Sequence, residues 1–143
     1  MRFMIMVRAN AQSESGEMQP DESLFAAMAS YHEALAKAGV LLDASGLQPS
    51  SRGFRVHYHD GKPTVVDGPF AETKELIAGY TLIQVRTRDE ALEWARRFPA
   101  PFGKQIDGAI EVRQLYELED FEPSAEIERF RKLEAERNAS SSN

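Results

Sequence analysis

Arg2–Arg8 reads Arg-Phe-Met-Ile-Met-Val-Arg, so Phe3, Ile5 and Val7 alternate with Met4 and Met6. Successive side chains of a strand point to opposite faces, which makes this strand apolar on both. Such a strand belongs in the middle of a sheet that is covered on each side. Its apolar stretch, Phe3 to Val7, is too short for a signal-peptide core or a membrane span. The whole chain has 143 residues, enough for one domain that buries roughly two thirds of its unfolded surface without a disulfide or metal staple.

Further along the chain, residues 9–20 are polar, with Gly16 and Pro20, and predict a loop. Asp21 can cap a helix whose Leu24, Met28, Tyr31, Leu35 and Ala38 follow one face, and Gly39 ends it. Val40–Leu42 starts a second strand. Phe54, Val56 and Tyr58 then alternate with Arg55, His57 and His59, the period of a half-buried strand. Asp60-Gly61 makes a hairpin turn into a return strand over Lys62–Val66. Another strand covers Gly79–Val85. Thr87 and Glu90 match a capping box for a helix that buries Ala91, Leu92, Ala95 and Phe98, and Pro99 with Pro101 stops it. Ile110 and Val112, followed by Leu115, mark the last strand.

The order is β-α-β, a β-hairpin, then β-α-β. Two such halves on one sheet predict an α+β fold, a ferredoxin-like subunit with an inserted hairpin. Its helices lie on one sheet face. Packing two bare faces together in a homodimer covers the other, giving a dimeric α+β barrel. The domain occupies residues 1–121. Residues 122–143 are charge-dense, with a thin stripe of Ile127, Phe130 and Leu133, and predict a helical appendage ending in a disordered polar tail.

Lys and Arg total 17 against 23 Asp and Glu, a formal charge of −6 that disfavours nucleic acid and anionic membranes. The absence of cysteine excludes disulfides, thiolate nucleophiles, iron–sulfur clusters and Cys-ligated zinc. No dinucleotide fingerprint, phosphate loop or nucleophile elbow occurs. The expected protein is cytoplasmic and uses no cofactor.

Chemistry concentrates in Asp67-Gly68-Pro69-Phe70-Ala71-Glu72-Thr73-Lys74-Glu75. A partly desolvated carboxylate beside a lysine can act as a general base or hold a ligand; a turn carboxylate bonded to its own backbone is the plainer role. Arg55 and Arg113 can each grip a carboxylate or phosphate, with a Glu111 ion pair as the alternative for Arg113. His57 can serve as acid or base, or sit on an exposed strand face. His57 and His59 share a strand face but lack further ligands, so no metal is expected. Tyr80 can offer a phenol to a cleft or pack as an ordinary aromatic. His32, next to core residue Tyr31, reads as a surface or dimer-contact residue. Trp94 reads as packed against the tail or a partner subunit.

The Asp67-Gly68-Pro69-Phe70 run, with Ala71–Glu75 and Gly79-Tyr80, resembles the signature of DGPF-domain proteins, a branch of the YCII-related family. Ala38–Leu42, Gly46–Ser50, Asp89-Glu90-Ala91 with Trp94, and Ile110–Arg113 resemble it in the same order, over residues 1 to about 121. The resemblance implies a dimeric α+β barrel with a cleft lined by the signature. It also implies a histidine–aspartate pair: Asp67 matches the aspartate, and the histidine's helix position falls near Met28, with His32 one turn on. Members encoded beside extracytoplasmic-function sigma factors imply a regulatory role.

Three functions follow. The first is a small-molecule-binding, cofactor-independent acid/base enzyme, with Asp67 and His57 catalytic and Arg55, Glu72, Lys74 and Tyr80 binding the ligand. The second is a non-catalytic ligand-sensing or regulatory dimer linked to a sigma factor. The third is a dimer whose signature loop only braces the barrel seam.

Overall fold

The doubly apolar strand β1 (Arg2–Arg8) lies inside a four-stranded antiparallel sheet, as its sequence requires. The computed structural model describes residues 1–17 and 21–141. After β1 come a one-turn helix α1 (Ala11–Glu14), α2 (Glu22–Lys37) and β2 (Leu41–Gly46). The hairpin strands β3 (Phe54–His59) and β4 (Lys62–Asp67) follow, then β5 (Ile77–Gln84), α3 (Arg88–Arg96), β6 (Ile110–Gln114) and α4 (Ala125–Ser141). The sheet order is β2-β5-β1-β6, and β3-β4 form a separate two-stranded sheet. This is the ferredoxin-like α+β arrangement with an inserted hairpin.

Register explains the two faces of β1. Ile5 sits opposite Thr81 and Val112, whereas Met4 sits opposite Leu82 and Arg113. On the helix side, Phe3, Ile5, Ile83 and Val85 pack with Tyr31 and Leu35 of α2, Val40 and Ala91 of α3. Ile5, Leu35 and Ile83 are fully buried, and each contributes about 1.5–3 kcal/mol through burial. The other face carries Met4, Met6 and Leu82, each half-buried in the single chain.

Local signals act largely as the sequence predicts. Asp21 accepts hydrogen bonds from the Ser23 and Leu24 amides and caps α2, and Gly39 takes a positive φ of 76° after its end. At α3, the Thr87 hydroxyl oxygen accepts from the Glu90 amide at 3.1 Å. The Glu90 carboxylate instead accepts from the Arg86 amide at 3.0 Å, one residue before the expected partner.

Three local expectations are corrected. Part of the predicted 9–20 loop is α1, because Asn10 and Ser13 cap each other's backbone; residues 18–20 lie outside the described residues. Leu92 is exposed, and Trp94 packs against the core in its place. Trp94 rests on the domain's own core, its ring edge-on to Tyr31, whose hydroxyl donates to the Trp94 carbonyl at 2.8 Å. Helix α4 continues through Ser141 into the expected polar tail, and the Ser140 and Ser141 hydroxyls donate back to the Glu136 and Arg137 carbonyls. Residues 142–143 lie outside the described residues.

Candidate ligand cavity

A cavity of about 740 Å³ opens on the helix side of the sheet, between α1, α2, the β2–β5 end and the turn after α3. Its space has a sequence origin. Gly46 and Gly79 sit opposite each other at the end of β2 and β5, so no side chain fills the sheet there. A Cβ on Gly79 would lie 3.0 Å from the Ser45 carbonyl oxygen, so the strands approach closely at that point. Above this gap, α2 contributes Phe25, Met28 and His32, spaced three and four residues apart on one flank. Phe98 and Phe102 add two more rings.

His32 is the chemical centre of this hollow. Its Nδ1 lies 2.7 Å from the Met28 carbonyl oxygen, and its Nε2 lies 2.8 Å from Thr81 Oγ1. A carbonyl only accepts, so Nδ1 carries a proton. In the neutral ring Nε2 therefore accepts, and the Thr81 hydroxyl donates to it. Thr81 is 2% exposed and points to the helix side opposite Ile5. Tyr31 and Phe98 stand edge-on to the imidazole, with centroids 5.4 and 6.4 Å away, and hold its plane. Gln12, Ser13 and Glu17 supply polar groups along the wall, and among the described residues the lining includes no Lys or Arg.

Of the residues that the sequence put forward as catalytic or ligand-binding, Tyr80 borders the cavity, yet its register opposite Met6 turns its side chain to the sheet face away from Thr81. Its phenol donates to Asp43 Oδ2 at 2.9 Å, and this hydrogen bond to a carboxylate raises it above its usual 10.0. Asp67, His57, Glu72 and Lys74 are exposed and lie outside the cavity. Asp67 and His57 do not form a pair within the chain. The register places Asp67 opposite Phe54 and His57 opposite Thr64, which puts them on opposite hairpin faces. Arg55 stacks over the Phe70 ring at 3.8 Å, so the signature phenylalanine occupies its guanidinium. Arg113 pairs with Glu111 at 3.6 Å, and Arg8 reaches the same carboxylate at 2.9 Å. His59 lies 3.5 Å from Asp60 in solvent.

Sequence reasoning gave His32 a surface or dimer-contact role; in the single chain it is half-buried in the cavity, because the flank beside Tyr31 faces the open end of the sheet. The available signal was the Met28–His32 spacing of four, which extends the core stripe sideways. Thr81 carried no local signal, being one polar residue in an apolar strand.

The fold and this hollow define a ferredoxin-like α+β domain with a helix-side cavity. The chain belongs to the YCII-related domain family, whose model matches residues 1–119. It is 33% identical over 97 residues to Uncharacterized protein R00369 of Rhizobium meliloti (strain 1021), covering 68% of this chain and 77% of that protein. Among solved structures it is similar to 5-chloro-2-hydroxyhydroquinone dehydrochlorinase from Burkholderia phenoliruptrix AC1100 in complex with 2,5-dihydroxybenzoquinone. That similarity covers 81% of this chain and 94% of that one, at 15% identity and a TM-score of 0.44. Among the described residues, no helix is long and apolar enough to cross a membrane.

Proposed function

We propose that this chain binds a small, uncharged organic molecule in the helix-side cavity, with the Thr81 hydroxyl oxygen, backed by His32, as its polar contact. The observation that carries this reading is the anchored imidazole: Nδ1 on a backbone carbonyl, Nε2 on a buried hydroxyl, inside a ring-lined hollow. The volume suits a small-molecule site. A wall without Lys or Arg, and with the Glu17 carboxylate, disfavours an anion. Proton transfer follows from the geometry. Thr81 Oγ1 can take a proton from the ligand while passing its own to His32 Nε2, leaving an imidazolium and a deprotonated ligand. This is acid/base chemistry without a cofactor, moved from Asp67 to His32.

Two further readings keep support. The apolar sheet face away from the helices, where Met4, Met6 and Leu82 stay half-buried, favours a homodimer packed sheet to sheet, and a second copy is what would enclose the exposed Asp67 bend. Helix α4 leaves Phe130 and Leu133 exposed at 56% and 60%, which favours a regulatory surface for a cytoplasmic partner such as a sigma factor.

The test compares 4-fluorobenzyl alcohol with 4-fluorobenzoate, which share a shape and differ in charge. By fluorine NMR and amide shifts, the alcohol should bind and move the His32, Gly79 and Thr81 resonances, and the benzoate should not. Thr81→Val should weaken the alcohol about fivefold, the loss of one ordinary hydrogen bond. Equal binding of both probes, or shifts confined to the Asp67 bend, would overturn the reading.

A further inference from the structure

The signature bend stands outside the cavity, yet a chain of contacts joins it to the cavity wall. The Gly68 amide donates to the Gly53 carbonyl at 3.0 Å. The Phe70 amide donates to Ser50 Oγ at 3.0 Å. Ser50 in turn gives its amide to Glu14 Oε1 at 3.0 Å and its hydroxyl to Glu14 Oε2. The direction of this relay is set by chemistry. Phe70 N–H can only donate and an ionised carboxylate can only accept, so the single Ser50 proton points at Glu14.

Glu14 is the last residue of α1, and α1 supplies Gln12 and Ser13 to the cavity. Ser50 directly follows Leu47-Gln48-Pro49, which line the cavity from the other side. Helix α1 is one turn long and buries no residue, so neither helix cooperativity nor a core contact holds it in place. The Glu14–Ser50 bonds tie that weak element to the rest of the domain.

We propose that Glu14 and Ser50 are positioning residues through which the Asp-Gly-Pro-Phe bend sets the α1 wall of the cavity. The signature then governs ligand affinity without touching the ligand. This inference rests on the helix-side cavity being the binding site.

The experiment measures amide exchange and binding of 4-fluorobenzyl alcohol in wild type, Ser50→Ala, Ser50→Thr and Glu14→Gln. In Ser50→Ala, the Phe70, Glu14 and Ser15 amides should exchange at least about tenfold faster, as a locally opened unit does. Affinity for the alcohol should fall about fivefold, with the shifts at His32 and Thr81 retained in pattern. Ser50→Thr keeps the hydroxyl and should restore both readouts. Glu14→Gln, which keeps the side-chain shape, should lie between Ser50→Ala and wild type. Faster exchange at Phe70 alone, or full loss of α1 protection with affinity unchanged, overturns this inference and leaves the cavity reading standing. Absence of any probe shift at His32 and Thr81 in the wild-type protein overturns both.

Discussion

Gly68→Ala inserts one methyl group between two backbone segments. A Cβ at this position would fall 1.8 Å from the Ser50 carbonyl oxygen and 2.7 Å from its carbon. Ordinary contact begins at 3.4 Å, so the segments must part by roughly 1.6 Å, and no flexible side chain can swing away to absorb it. Both facing atoms are main chain. That separation breaks the Gly68–Gly53 and Phe70–Ser50 hydrogen bonds, each 3.0 Å long. Two hydrogen bonds contribute about 1–3 kcal/mol together, and overpacking adds about 1–3 kcal/mol. Alanine's smaller unfolded-state freedom offsets about 0.4–1 kcal/mol of this. The expected net loss is about 3 kcal/mol, a large share of an ordinary domain's stability. Urea unfolding followed by circular dichroism measures it, with Gly46→Ala as control. Gly46 has nothing within 4 Å of its Cβ position and no positive φ, so its variant should stay within about 1 kcal/mol of wild type. A Gly68→Ala midpoint matching the control, at unchanged denaturant slope, would refute the steric reasoning.

Burial pushes the Tyr31 phenol up to about 12 from 10.0, with the Arg97 guanidinium opposing the shift. A raised phenol is fully stabilising below the unfolded value, and that stability drains away as pH rises from 10.0 through about 12. Tyr31→Phe should lower stability by about 1 kcal/mol at neutral pH through the lost bond to the Trp94 carbonyl. It should also flatten the alkaline decline; an equally steep decline in the variant counts against the assignment. Removal of residues 123–143 should leave Trp94 fluorescence unchanged, because Trp94 packs on Tyr31 and the core rather than on α4. The truncated chain should keep nearly the whole stability of the full chain, since exposed ion pairs such as Arg131–Glu119 contribute little. A red-shifted emission would show that α4 shields the core.

Much of the architecture was legible because its causes are local. The doubly apolar Phe3–Val7 run demanded an interior strand, and β1 has neighbours on both sides. Asp21, Gly39, Thr87 and the Asp60-Gly61 turn each act on backbone groups within four residues, so their spacing is itself the mechanism. The misreadings share the opposite cause. Leu92 and Trp94 are both apolar residues of α3, and only the angle at which the helix meets Tyr31 decides which one packs inward. Asp67 and His57 were each given a catalytic role from the sequence, and the pairing register sets them on opposite hairpin faces.

The amino-acid order alone determined the type and succession of the elements, since hydrophobic period and capping chemistry are properties of adjacent residues. It also marked the Asp67–Phe70 bend as special. Tertiary structure decided what is enclosed and what joins to it: His32 meets Thr81 across 49 positions, and Phe70 reaches Glu14 through Ser50. Such contacts form only when α2 and α1 settle over the glycine gap between β2 and β5. The physical reason is range: caps and turns act within one helical turn, whereas a cavity is the space left by elements packed from distant parts of the chain.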